Sequence, residues 1–302
     1  LVEVSESMQA LYGETAEVLL CDAHPGYTTH RWARQQGLPV VPILHHHAHA
    51  SALAAEHNDS TGEWLTYAWD GVGLGEDGML WGGDVLWGQP GRWRRVARFR
   101  PFRLTGGDRA GREPWRSAAA LLWAMGRDAL HAPEGSEIAR HAWEKRINTF
   151  ETTAAGRLFD AAASMVTGRT HGSFEAQGPM QLEMLANGVV GCATALPIKQ
   201  IEPDLWEVDW APLFDPLSDA DRSDAERAAD FHASMAQLVP DLALQLAPHF
   251  PYSQIGLTGG VFQNARLVQE ILDRTSAMET PLRLHRLIPC NDAAIAFGQL
   301  VE

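Results

Sequence analysis

Four histidines stand within five residues at His45-His46-His47-Ala48-His49, directly after the apolar run 39–44 and before the alanine-rich segment 50–56. Residues i and i+4 share one face of a helix, so His45 and His49 can present ring nitrogens to a single ion. A polar helix start with one or two hydrogen-bonded histidines is the plainer account, yet it leaves such a dense cluster unexplained. Two nitrogens rarely complete a metal site, and Cys21, Cys192 and Cys290 form no ligand-like pair. Asp70 closes the strand-like run 64–69 and opens Asp-Gly-Val-Gly-Leu-Gly, whose glycines let backbone approach a ligand. Asp292 lies between a strand-like run and the last helical segment, where a sheet presents residues at its end. His45, His49, Asp70 and Asp292 would form a nitrogen and oxygen set without thiolate, which suits Fe(II), Mn(II) or Zn(II) with open positions. Taken alone, either aspartate reads equally well as a helix cap or a turn residue.

Further loops place glycine where a strand gives way to a helix: residues 70–75, with Gly71 and Gly73; residues 105–108; and residues 258–264, with Gly259, Gly260 and Asn264. Amides of the last loop and the helix start behind it can hold a phosphate or pack on a base. No Gly-Lys-Ser/Thr sequence occurs, so a P-loop is not supported. Glu175 can accept hydrogen bonds from ribose hydroxyls, or it is a first-turn carboxylate favoured by the helix dipole; spacing does not separate the two.

These groups need a scaffold, and the composition provides for one. With 302 residues, 45% hydrophobic, 8% aromatic and 21% charged, the chain can bury a core of one large or two small domains. No apolar run approaches the ~18 residues of a membrane span. Lysine plus arginine number 24 against 38 acidic residues, a net charge of −14, which disfavours a protein devoted to nucleic acid. An odd set of cysteines without a CxxC pair fits a reducing compartment, with the cytoplasm expected. The sequence begins at Leu1 without an initiator methionine and so reads as part of a longer chain. Strands are expected at 18–21, 40–44, 64–69, 85–87, 255–257 and 282–287. Helices are expected at 28–36, 47–56, 115–125, 138–150, 153–166, 177–186, 224–246, 262–274 and 293–301. Mixed order with buried strands argues for an α/β or α+β fold. Residues 193–217, with Pro197, Pro203, Pro212 and Pro216, read as a hairpin and loop, and the best boundary falls at 190–220. The lobes would then be 1–190 and 191–302.

Several runs together carry a resemblance: Cys-Asp-Ala-His-Pro-Gly-Tyr from residue 21, the histidine cluster, Trp-Asp-Gly-Val-Gly-Leu-Gly from 69 and Leu-Trp-Gly-Gly-Asp from 80. Gly-Gly-Asp-Arg-Ala-Gly-Arg-Glu-Pro-Trp-Arg from 106, Gly-Arg-Leu-Phe-Asp-Ala-Ala-Ala from 156, Thr-Gly-Gly-Val-Phe-Gln-Asn from 258 and Asn-Asp-Ala-Ala-Ile-Ala-Phe-Gly-Gln from 291 continue it. Over residues 12–302 the chain resembles the C-terminal, transferase part of the HypF family of hydrogenase-maturation carbamoyltransferases. The resemblance implies an actin/hexokinase/Hsp70-like fold: two α/β lobes with RNase-H-like sheets around a nucleotide cleft, the first lobe shortened at its N-terminus. It implies a divalent metal, Fe or Zn, on His45, His49, Asp70 and Asp292, at the phosphates of an adenylate held by Gly71, Gly73, Glu175, Gly259, Gly260 and Asn264. Ala293 and Ala294 stand where the family has glycines, and Glu175-Ala176-Gln177-Gly178 departs from its Glu-Gly-Gln-Ala.

The implied reaction moves a carbamoyl group from carbamoyladenylate to the C-terminal cysteine of HypE. The family's YrdC-like domain, which makes the adenylate, is not visible here and would act in cis or in trans. Transfer to a small-molecule hydroxyl is the alternative; a tRNA-modifying relative and a non-catalytic scaffold are the remaining ones.

Overall fold

The computed structural model describes residues 2–58 and 62–302. The chain opens with α1 (Val2–Tyr12), β1 (Leu19–Asp22), α2 (Thr28–Ala33), β2 (Val40–Ile43) and α3 (His45–Glu56), with β1 and β2 parallel. Next come β3 (Trp64–Leu74), β4 (Leu80–Gly88), β5 (Arg94–Phe99), β6 (Phe102–Thr105), α4 (Trp115–Ala124), α5 (Ser136–Glu144), β7 (Thr149–Thr152), α6 (Ala155–Thr167) and α7 (Gln177–Ala186). The remainder comprises β8 (Ile198–Glu202), β9 (Leu205–Val208), α8 (Phe214–Leu217), α9 (Asp224–Leu246), β10 (Gln254–Thr258), α10 (Ala265–Thr275), β11 (Leu282–Arg283) and α11 (Ile295–Val301). Among the described residues, nine strands form one mixed sheet along the path β11-β10-β3-β4-β5-β9-β8, with β7 linking β4 to β6. This is the α/β layering that the alternation of strand and helix signals led us to expect. Strands from both sides of residue 190 share the sheet, so the division into lobes at that point stays a proposal. No helix among the described residues is long and apolar enough to cross a membrane.

β3 explains why the sheet is layered. Leu65, Tyr67 and Trp69 belong to a core with Phe159 of α6 and Val239 of α9, while Trp64 and Ala68 join Ala50, Leu53 and Ala54 of α3 in a second core. Alternate residues thus feed opposite faces, as expected of a strand covered on both sides. Its apolar run made β3 legible. β5 escaped notice because Arg94, Arg95 and Arg98 break up its apolar pattern; Arg95 pairs with Asp77 and Asp84, and Arg98 with Glu207. The helix expected over 138–150 ends at Glu144 and gives way to β7, because Arg146 and Asn148 take left-handed backbone angles of φ 57° and 49°. The strand expected over 282–287 stops at Arg283, beyond which the Glu56 carboxylate accepts the amides of Arg286, Leu287 and Ile288 and faces His285 Nδ1 at 3.1 Å. That carboxylate, at the end of α3, pins the loop that leads to Asp292.

α3 is buried from His45 to Ala54 and consists largely of alanine and histidine, so neighbours can come close. α11 lies against it with Gly298 at the crossing, where an added Cβ would stand 1.9 Å from the carbonyl oxygen of Ala48. Gly298→Ala is therefore expected to force the helices apart, at a cost of about 1–3 kcal/mol or more from overpacking. Urea unfolding checks this; an unchanged midpoint would show that the two backbones do not meet there.

Candidate metal centre and its cavities

His45 and His49 lie one turn apart at the start of α3, Asp70 on β3, and Asp292 in a short helical turn ahead of α11. At Asp70 the pairing with β4 slips, between Trp69↔Gly83 and Gly73↔Trp81. Such an irregularity turns a side chain out of the regular pleat. Asp292 follows Asn291, whose side chain caps the turn by accepting the Ala293 amide at 3.1 Å. The four sequence-selected residues converge: one donor atom from each lies within 4.8 Å of all the others. His45 Nε2 is 3.1 Å from Asp70 Oδ2 and 3.5 Å from Asp292 Oδ1. His49 Nε2 is 3.5 Å from Asp70 Oδ2 and 3.6 Å from Asp292 Oδ1. Donors bound at ~2.0–2.2 Å to one tetrahedral ion stand ~3.3–3.5 Å apart, so the spacing fits a shared cation. Both ring nitrogens of His49 are buried without a hydrogen-bond partner among the described residues, which a bound ion would supply for one of them.

The electrostatics agree. Burial opposes the charge of His45, but Asp22, Asp292 and Asp70 outweigh it and hold its pKa well above the usual imidazole range. Burial likewise works against Asp70, while His45 and His49 pull its carboxyl well below the carboxylate norm. His45 and His49 lower Asp292 too. His46 is fully buried, and that burial, with His45 beside it, keeps it neutral, its pKa well below the usual value.

Asp70 and its neighbour Gly71 border both of two cavities, of about 520 and 830 Å³. Arg157, Glu175, Gly260 and Gln263 also face both. Gly260 donates its amide to Asp70 Oδ1 at 3.2 Å, and Gly259, at φ 100°, packs on the Trp69 carbonyl, so this loop orients a candidate ligand as well as lining a cavity. Gly73 faces neither cavity; it packs against the His46 ring and the Cβ of His45. Asn264 caps α10 by accepting the Leu267 amide at 2.8 Å, and its Nδ2 lies 2.9 Å from His232 Nε2 while it borders the smaller cavity.

Asp22, Asp160 and Arg157, which faces both cavities, are among the site residues that were missed. Asp22 reaches His45 Nδ1 at 2.7 Å. Asp160, buried in α6, borders the smaller cavity beside Arg157, a close ion pair at 2.8 Å without the alignment of a hydrogen bond. Burial pushes its carboxyl up to about 6, with Arg157 opposing and Glu175 adding to the rise. A charged residue within the apolar run Phe-Asp-Ala-Ala-Ala was the available signal.

Two family models match the chain. One, described as the HypF Kae1-like domain, covers residues 1–56; the other, described as the carbamoyltransferase Kae1-like domain, second subdomain, covers residues 66–299. Among curated proteins, carbamoyltransferase HypF of Rhodobacter capsulatus is 35% identical over 96% of this chain and 40% of its own length. A carbamoyltransferase HypF homolog of Cupriavidus necator is 33% identical over 98% of this chain and 79% of its own. The chain thus spans about 40% of most of the curated relatives it matches. A crystal structure of full-length HypF in its phosphate- and nucleotide-bound form superposes with a TM-score of 0.91 at 26% identity, covering 99% of this chain and 48% of that one.

Proposed function

Because this chain belongs to the HypF family of carbamoyltransferases, and has the fold of its Kae1-like domain, we propose that it transfers a carbamoyl group from carbamoyladenylate to the C-terminal cysteine thiolate of HypE, on the way to the cyanide ligand of a NiFe hydrogenase. The observation that supports this reading is the meeting of two cavities at one group of metal donors. The adenylate occupies the smaller cavity, with its ribose near Glu175 and its phosphate directed at Asp70 and Asp292; the acceptor arrives through the larger one. The thiolate sulfur attacks the carbamoyl carbon, the bond from that carbon to the phosphate oxygen breaks, and AMP leaves with the electron pair.

A divalent ion, Fe or Zn, on His45, His49, Asp70 and Asp292 would polarise the carbonyl and offset charge on the leaving phosphate. The chain's own groups do the positioning. The Gly260 amide steadies Asp70, and Arg157, which borders both cavities, offers a guanidinium to phosphate. No nucleophile is needed from this chain, since the acceptor brings one. Cys290 is unsuited to that role: it is half-buried, and burial raises its thiol pKa, keeping it protonated. A YrdC-like domain, in cis or in trans, supplies the adenylate, and we place the reaction in the cytoplasm.

Mass spectrometry of HypE after incubation with this chain, a YrdC-like domain, ATP and carbamoyl phosphate tests the reading. We expect one carbamoyl group on the C-terminal cysteine, and none when either protein is omitted. An unmodified cysteine, with carbamoyl found on an added hydroxyl compound, would replace this reading with O-carbamoyl transfer.

A further inference from the structure

We propose that Asp22 is a positioning residue for the metal centre: it fixes the ring of His45 so that Nε2 is the nitrogen offered to a divalent cation. The inference rests on the metal reading above. Asp22 ends β1, in register with Ile43 at the end of β2, and so stands across from the first turn of α3. Its buried carboxylate is held from two sides. Oδ2 lies 2.7 Å from His45 Nδ1, while Oδ1 accepts the backbone amide of His24 at 2.8 Å.

A carboxylate oxygen at that distance can only accept, so Nδ1 keeps its proton toward Asp22, and a cation held by His45 would be bound through Nε2 in place of the Nε2 proton that now meets Asp70. Nε2 is the atom that faces Asp70 and Asp292. A carboxylate behind a ligating imidazole fixes the tautomer, restrains the ring and makes the other nitrogen a better donor. His49 has no such support: neither of its nitrogens has a hydrogen-bond partner among the described residues. His45 is therefore the anchored ligand of the pair, and Asp22 is what anchors it.

The test uses Zn(II) as probe, with its dissociation constant measured by competition against a chromophoric chelator. The full chain is compared with Asp22→Asn, Asp22→Ala, Asp22→Glu and His49→Ala, each confirmed as folded without metal by circular dichroism at the assay temperature. The near-isosteric Asp22→Asn guards against loss of folding in Asp22→Ala. We expect Asp22→Asn to weaken Zn(II) binding by about 10–100-fold, with partial recovery in Asp22→Glu. Bound Co(II) should also show an altered visible spectrum in Asp22→Asn, a change that a purely structural Asp22 would not produce. Parent-like Zn(II) affinity in Asp22→Asn, alongside lost binding in His49→Ala, would overturn the role of Asp22 alone. Equal binding by the parent chain and His49→Ala would overturn the metal reading, and this inference with it.

Discussion

His49→Ala will empty the metal site, taking the chain from roughly one bound divalent ion, as one four-donor group allows, to a trace. The imidazole is fully buried, and its Nε2 lies 3.5 and 3.6 Å from oxygens of Asp70 and Asp292. Removing it leaves three donors, two of them carboxylates whose mutual repulsion is then less well offset. The loss should exceed the ~10–100-fold cost of deleting an outer partner of a ligand. Elemental analysis of parent and variant, both purified without chelators, gives the answer. A variant that keeps the parent's metal content would remove His49 from the ligand set. Carbamoyl transfer should fall with the metal, because the His49 imidazole lies beside Asp70 and Asp292 at the candidate centre.

Much of this centre was legible in local patterns, although Asp70 and its glycines do not end the strand in a loop before a helix: β3 runs on to Leu74, with a slip in its pairing at Asp70, and leads into β4. His45 and His49 share a helix face through their spacing alone, and Asp70 and Asp292 mark the ends of apolar runs. What brings them together was not legible. β10 pairs with β3 in parallel, Gln254↔Trp64 through Thr258↔Ala68, across almost two hundred intervening residues, and no local pattern encodes that register. Asp22 was hidden for the same reason: its partner lies 23 residues on, across the β1–β2 pair. The histidine helix begins at His45, two residues before the periodicity suggested, because histidines in the first turn add nothing to an apolar stripe. The hairpin read over 193–217 is present as β8 and β9, marked by its prolines, whereas β5 was masked by arginines whose charges are paired.

Asp160→Asn will make the protein more stable at neutral pH and a poorer nucleotide binder. Burial raises the Asp160 carboxyl to about 6, so between the ordinary aspartate range near 3.8 and that value the folded protein holds a proton that the unfolded chain has released. Stability must therefore fall as pH rises through this window and level off above it. An asparagine, neutral throughout, escapes the penalty. Its advantage over the parent should grow from about pH 4 to pH 6 and reach the order of 3 kcal/mol by pH 7, from ~1.4 kcal/mol per pKa unit. Urea unfolding of both proteins between pH 4 and 8 measures it, and a pH-independent difference would mean that Asp160 is not held protonated by its surroundings. A group that costs this much is retained for something other than folding. Asp160 borders the smaller cavity with Glu175, and a carboxylate there can accept hydrogen bonds from two neighbouring hydroxyls, where an amide offers one oxygen and a competing donor. Calorimetry with AMP is expected to show about tenfold weaker binding by Asp160→Asn, in line with loss of a hydrogen bond to a charged group. Unchanged AMP affinity in the stabilised variant would place the ribose elsewhere and leave the buried charge without a ligand to account for it.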